Sequence, residues 1–209
     1  MPHRRIAVLV GFLFISSTIT FAVGNSLVQE YFSSTTPEFG DLLAGVILEA
    51  HTGLAVAAIG LLLLPVLKWH TVRASWAYLL LRVAECVAIM ATGVYFLTSR
   101  DEFQDYALLV YAFSGAGGLV LSYALLRSRL VGTRLSVLGV IGYAVLLLGV
   151  VADVLGIADL DSGAAVGFYV PGALFEVVFP LVLLFRGFRL AGPASRSADG
   201  HVAREGTRH

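Results

Sequence analysis

Six separate runs of about twenty consecutive, mostly apolar residues constrain this chain more tightly than any other feature. They are approximately Ile6 to Gly24, Leu43 to Leu67, Ala74 to Thr98, Tyr106 to Leu126, Leu135 to Ile157 and Ala165 to Phe185. A bilayer core of about 30 Å is crossed by roughly 20 apolar residues of α-helix, and in lipid every backbone N–H and C=O must be satisfied within the crossing element. The runs are too long and too uniformly apolar for barrel strands, which alternate over about 10 residues. The sequence therefore predicts an all-α integral membrane bundle of six transmembrane helices over residues 1–190. Composition agrees, because 58% of the 209 residues are hydrophobic and 13% charged, which does not fit a water-soluble domain.

Basic residues fall on alternate connections. His3, Arg4 and Arg5, then Lys68 and Arg73, then Arg127, Arg129 and Arg134, and finally Arg186, Arg189, Arg196, Arg204 and Arg208 share one side, which holds twelve of the fourteen lysines and arginines. The other side has Arg100 beside Glu30, Glu38, Asp41, Asp101, Glu102, Asp105, Asp159 and Asp161. The positive-inside rule then places both termini in the cytoplasm. Trp69 and Trp76 at one interface, and Tyr31, Phe32 and Phe39 in the first outer loop, stand where an aromatic belt belongs. The first run has a rival reading as a secretory signal, since Arg4-Arg5, an apolar stretch and Ala22-Val23-Gly24 match its three regions. Its apolar part exceeds the usual core of about 7–15 residues, so a retained span is expected.

Beyond Arg189 the composition turns small, polar and basic, and residues 191–209 are expected to form a disordered cytoplasmic tail. Fourteen basic against fourteen acidic residues give no net charge, which argues against nucleic acid as a partner. The single cysteine, Cys86, excludes an intramolecular disulfide. Ser114-Gly115-Ala116-Gly117-Gly118 with Ser122, and Gly139, Gly142 and Gly149, form small-residue faces for close helix packing. Such faces serve one bundle or a homo-oligomer equally well. Pro65, Pro171 and Pro180 are expected to bend their helices.

The chemistry lies in ionisable residues within the runs, because a charge at a helix centre costs about 2.5–3.5 kcal/mol on insertion scales. Arg82 and Glu85 stand three apart on one face of the third run. Counted at 1.5 Å per residue, Arg82, Glu85 and Glu176 share a level about 12–16 Å from the basic side. Glu49 and His51 enter from the acidic side as a second polar pair, although a spacing of two points them to different faces. One cation against three carboxylates, Glu49, Glu85 and Glu176, cannot all be ionised cheaply, so a proton or a further cation belongs to the site. Either Arg82 bridges Glu85 and Glu176 as a structural pin, or the cluster binds a proton or cation in transport or sensing. Asp153 sits near the interface.

Catalytic signatures are absent: there is no H-E-x-x-H, no G-x-S-x-G around Ser114, no P-loop, no dinucleotide fingerprint and no histidine cluster for haem or metal. No metal or cofactor is expected. With these residues in view, the chain resembles a bacterial family of multi-pass membrane proteins carrying the domain of unknown function DUF4386. The resembling stretches are Leu64-Pro65-Val66-Leu67-Lys68, Arg82-Val83-Ala84-Glu85, Ser128-Arg129-Leu130-Val131 with Leu135-Ser136-Val137-Leu138-Gly139, and Pro171-Gly172-Ala173-Leu174-Phe175-Glu176 leading to Arg186-Gly187-Phe188. They span most of residues 43–188. The resemblance implies that Arg82, Glu85 and Glu176 act as one unit. Members often carry proline after the basic connection where this chain has Gly132-Thr133, so the fifth helix is entered differently. Thirteen arginines against one lysine are consistent with a GC-rich bacterial genome. The expected protein is a non-enzymatic, multi-pass protein of a bacterial plasma membrane, surrounded by lipid and with its substrate unassigned. The alternatives are a proton- or cation-coupled small-solute transporter or channel-like protein, and an intramembrane lipid-modifying enzyme.

Overall fold

The computed structural model describes residues 2–103, 105–160 and 163–189. The expected tail, residues 191–209, lies outside them, as does Asp161. Among the described residues the fold is all-α, without strands. Its helices are α1 (Pro2–Ser33), α2 (Phe39–Leu67), α3 (Val72–Ser99), α4 (Tyr106–Ser128), α5 (Thr133–Val154) and α6 (Val170–Phe185), with a 3-10 turn, Gly163–Phe168, before the last. Helices α1 to α5 are long and apolar enough to cross a membrane. Helix α6 is apolar but has 16 residues, about 24 Å at 1.5 Å per residue.

Three boundaries differ from the hydropathy reading, each for a local reason. Helix α1 continues past Gly24 to Ser33 and takes Tyr31 and Phe32 out of the expected loop. No proline intervenes before Pro37, and the extension is held by rings: Phe32 lies 5.4 Å from Phe96, which meets Tyr106 edge-on at 5.4 Å. Helix α5 stops at Val154 because Gly156 turns left-handed (φ 68°) and the Asp153 carboxylate accepts the Leu160 N–H at 2.7 Å. Asp153 thus ties down the following connection. Pro171 does not bend a helix but starts one: it stands in the first turn of α6, where its missing N–H costs nothing. Pro65 and Pro180 do lie within α2 and α6.

Each helix packs against its neighbours in sequence, and α1 closes onto α6, so the six form a ring. Short connections force neighbours to run antiparallel. At the end carrying the α2–α3 and α4–α5 connections, Leu63, Leu67, Leu121, Leu125, Phe179 and Leu183 fill the ring with apolar side chains. Arg4 closes this end: its guanidinium donates to the Leu184 and Phe185 carbonyls at 2.9 and 3.2 Å. These are C-terminal carbonyls of α6 that lack partners within the helix. The opposite end is filled by Val28, Leu42, Phe96 and Tyr106, among others.

Candidate functional site

Midway along the ring the apolar filling gives way to a cavity of about 140 Å³ that holds Arg82, Glu85 and Glu176. Arg82 and Glu85 are one helical turn apart on the inner face of α3, 6% and 3% exposed. Arg82 Nη1 donates to Glu85 Oε2 at 2.6 Å. Its Nη2 crosses to α4 and donates to the Ser114 carbonyl at 3.2 Å, and its guanidinium lies 5.3 Å from the centre of the Tyr78 ring. Two glycines make room for it. A Cβ on Gly117 of α4 would come within 2.5 Å of Arg82 Nη2, and one on Gly60 of α2 within 3.2 Å of Arg82 Cβ. The nucleophile-like look of Ser114-Gly115 has a plainer origin, since Ser114 serves through its backbone oxygen.

Glu176 is held from the other side. Its Oε1 accepts a hydrogen bond from the Tyr143 hydroxyl at 3.1 Å. Tyr143 is buried on α5, edge-on to Phe175 at 5.6 Å, with its ring seated on the bare backbone of Gly118. The expectation that Arg82 bridges both carboxylates is therefore corrected. Among the described residues Arg82 forms a salt bridge with Glu85 alone, and Glu176 is fixed by a phenol. The reason is topological: in a closed six-membered ring the third and sixth helices face each other across the interior, here across the cavity. Glu176 shares the space of the Arg82–Glu85 pair without a salt bridge or hydrogen bond to either member.

Glu49 and His51 are not brought together. Glu49 is 1% exposed and packs beside Gly24 of α1, whereas His51 is exposed, with Nε2 3.3 Å from Ser16 Oγ. Neither lines the central cavity, but Thr52 does, and its hydroxyl bonds Thr20 of α1 at 2.8 Å. The remaining polar lining is quiet: Ser17 and Thr18 both donate to the Phe14 carbonyl of their own helix, at 2.9 and 3.0 Å. No group of three or more metal-ligating side chains occurs among the described residues.

Charge counting missed Tyr143, the partner of Glu176, and Tyr78, the face under Arg82. The available signal was a tyrosine set among Gly139, Gly142 and Gly149, because a buried phenol needs an acceptor. Gly117 and Gly118 were read as helix-packing residues, and they also seat the two side chains on which the site is built.

Fold and site together define an α-helical membrane protein whose bundle encloses a mostly apolar cavity with three charged side chains in it. Residues 94–187 match the family model of a domain of unknown function, DUF4386. The resemblance read from the sequence holds over that stretch, which contains Tyr143, Glu176 and the Pro171–Glu176 segment; Arg82 and Glu85 lie just before it. Searches of curated proteins and of solved structures found no match.

Proposed function

We propose that this is a non-enzymatic protein of a bacterial plasma membrane, crossing it six times with both termini in the cytoplasm. Its central cavity binds a proton or small cation during transport or sensing. Support for the orientation comes from the placement of twelve basic residues on one side. The sixth crossing consists of α6 extended by the 3-10 turn.

One observation carries the functional reading. Arg82 is already paired with Glu85, while Glu176, in the same cavity, has a phenol rather than a cation beside it. The Arg82 charge reaches Glu176 without forming a salt bridge to it, and a carboxylate at this depth with no ion pair of its own is costly and functional by default. The lining also favours binding over covalent chemistry: it includes no histidine or cysteine, and its hydroxyls at Ser17 and Thr18 are engaged with their own helix. Apolar clusters fill both ends of the ring, and access is expected from the α3–α4 end, where a second cavity with Asn25, Gln29 and Glu102 in its lining interrupts the filling.

The test is flux into vesicles reconstituted with the full chain under an imposed pH gradient. Wild type is expected to move protons or a monovalent cation, and Glu176→Gln to abolish the movement. Wild-type flux equal to that of empty vesicles across several ions would count against the proposal.

A further inference from the structure

We propose that Glu49 is the relay carboxylate of a proton route leading from the end of the ring at the α3–α4 connection to the central cavity. The route takes its destination, though not its own evidence, from the reading above.

Glu49 is the most anomalous buried group in the fold. It is 1% exposed, and neither carboxylate oxygen has a hydrogen-bond partner among the described residues. The Tyr106 hydroxyl of α4 interacts with it without closing a hydrogen bond of standard geometry. Buried polar groups are nearly always satisfied, and a bare buried carboxylate is among the most expensive groups to leave unmatched. What satisfies Glu49 must therefore be something it can take up and release.

Its position suggests the source. A second cavity, about 100 Å³, opens at the α3–α4 connection and is lined by Asn25, Gln29, Glu102 and Tyr106. Both cavities touch the same inner stripes. On α1 the outer one reaches Asn25 and the central one Phe21, with Gly24, against which Glu49 packs, between them. On α4 the outer one reaches Tyr106 and the central one Val110, one turn on. On α2 Thr52 lines the central cavity, one turn from Glu49. Glu49 and Tyr106 thus stand between the polar outer cavity and the central cavity that holds the charged cluster. The titratable groups around Glu49 are Tyr106 on α4 and, farther off on α3, Glu85, whose charge reaches Tyr106. From α1 it meets Gly24, and on α2 itself His51 is exposed.

Each transfer makes one O–H bond as another breaks. A hydronium ion in the outer cavity gives its proton to the Tyr106 oxygen as the Tyr106 hydroxyl proton passes to a Glu49 oxygen, leaving water and a neutral phenol. Glu49 then returns to carboxylate as the proton passes through water in the central cavity to Glu176. The outer cavity is predominantly polar, the central one is mostly apolar but carries Thr52, Arg82, Glu85 and Glu176, and each is large enough for water.

The test is infrared spectroscopy of the reconstituted full chain during exchange from H2O into D2O. Glu49→Gln is expected to remove one protonated-carboxyl component. Gln29→Trp, at the exposed rim of the outer cavity, is expected to keep that component but slow its deuterium uptake. A folded Glu49→Gln protein with every protonated-carboxyl component intact overturns the proposal, and so does uptake unchanged by Gln29→Trp. Where Glu49→Gln fails to fold, Glu49→Asp, which keeps the carboxyl, assigns the component by shifting its frequency, and the Gln29→Trp arm is read on that component. If Glu176→Gln leaves flux intact while the Glu49 component behaves as expected, the central-site reading fails and the route to the cavity stands.

Discussion

Replacing Gly118 with alanine would place a methyl group where the Tyr143 ring lies. Tyr143 is 1% exposed and cannot swing into lipid, so ring or helix must shift. Overpacking a filled core costs about 1–3 kcal/mol. A displaced Tyr143 also loses its bond to Glu176, worth about 1.5–3 kcal/mol for a charged acceptor. Alanine in place of glycine within a helix returns about 1 kcal/mol. The balance is a destabilisation of about 1.5–5 kcal/mol. Reversible unfolding in mixed micelles measures it, with Gly40→Ala as control, because a Cβ there meets nothing within 4 Å. A Tyr143→Phe background separates the two costs: if the hydrogen bond is part of the loss, Gly118→Ala costs less there than in wild type. A Gly118→Ala protein as stable as wild type would refute the seating of Tyr143 on α4, and with it the account of how Glu176 is held.

Four further outcomes follow from the same geometry. Arg82→Gln and Glu85→Gln should each cost about 3–5 kcal/mol in the same unfolding assay, because each strands a buried charge, and the double variant should cost less than their sum. Glu176→Gln keeps an oxygen for the Tyr143 hydroxyl, so its stability should stay within about 1 kcal/mol of wild type; a much larger loss would mark Glu176 as a structural pin. Arg4→Gln removes two hydrogen bonds from the C-terminal end of α6, and a loss of about 0.5–2 kcal/mol is expected from the same titration. With Cys86 replaced by alanine, cysteine at exposed Ser34 should react with a membrane-impermeant maleimide on intact cells and cysteine at exposed His70 should not. The reverse pattern would invert the topology.

Local features of the site were legible in the sequence and non-local ones were not. Arg82 and Glu85 are three residues apart on one helix, so their pairing follows from helical geometry alone. Glu176 and Tyr143 are 33 residues apart on successive helices, and nothing in either run records which way its helix is turned. Depth counting put Glu176 level with Arg82, but depth is one coordinate of three, and the missing one placed α6 across the cavity from α3. Glu49 and His51 show the same limit from the other side. Their spacing of two indicated different faces, but only the ring shows which face is inner.

The sequence by itself determined that the chain is helical and lipid-embedded, where the long runs lie, and which charges are buried. In hydrocarbon each segment must satisfy its own backbone, so composition within about twenty residues decides those points. Only in the packed bundle do the helices close into a ring, Gly117 and Gly118 seat an arginine and a tyrosine, and Glu49 stand between two cavities. Each of these depends on the rotation of one helix against another. That rotation is set by side-chain packing between distant segments, and an apolar run reads the same at every angle about its axis.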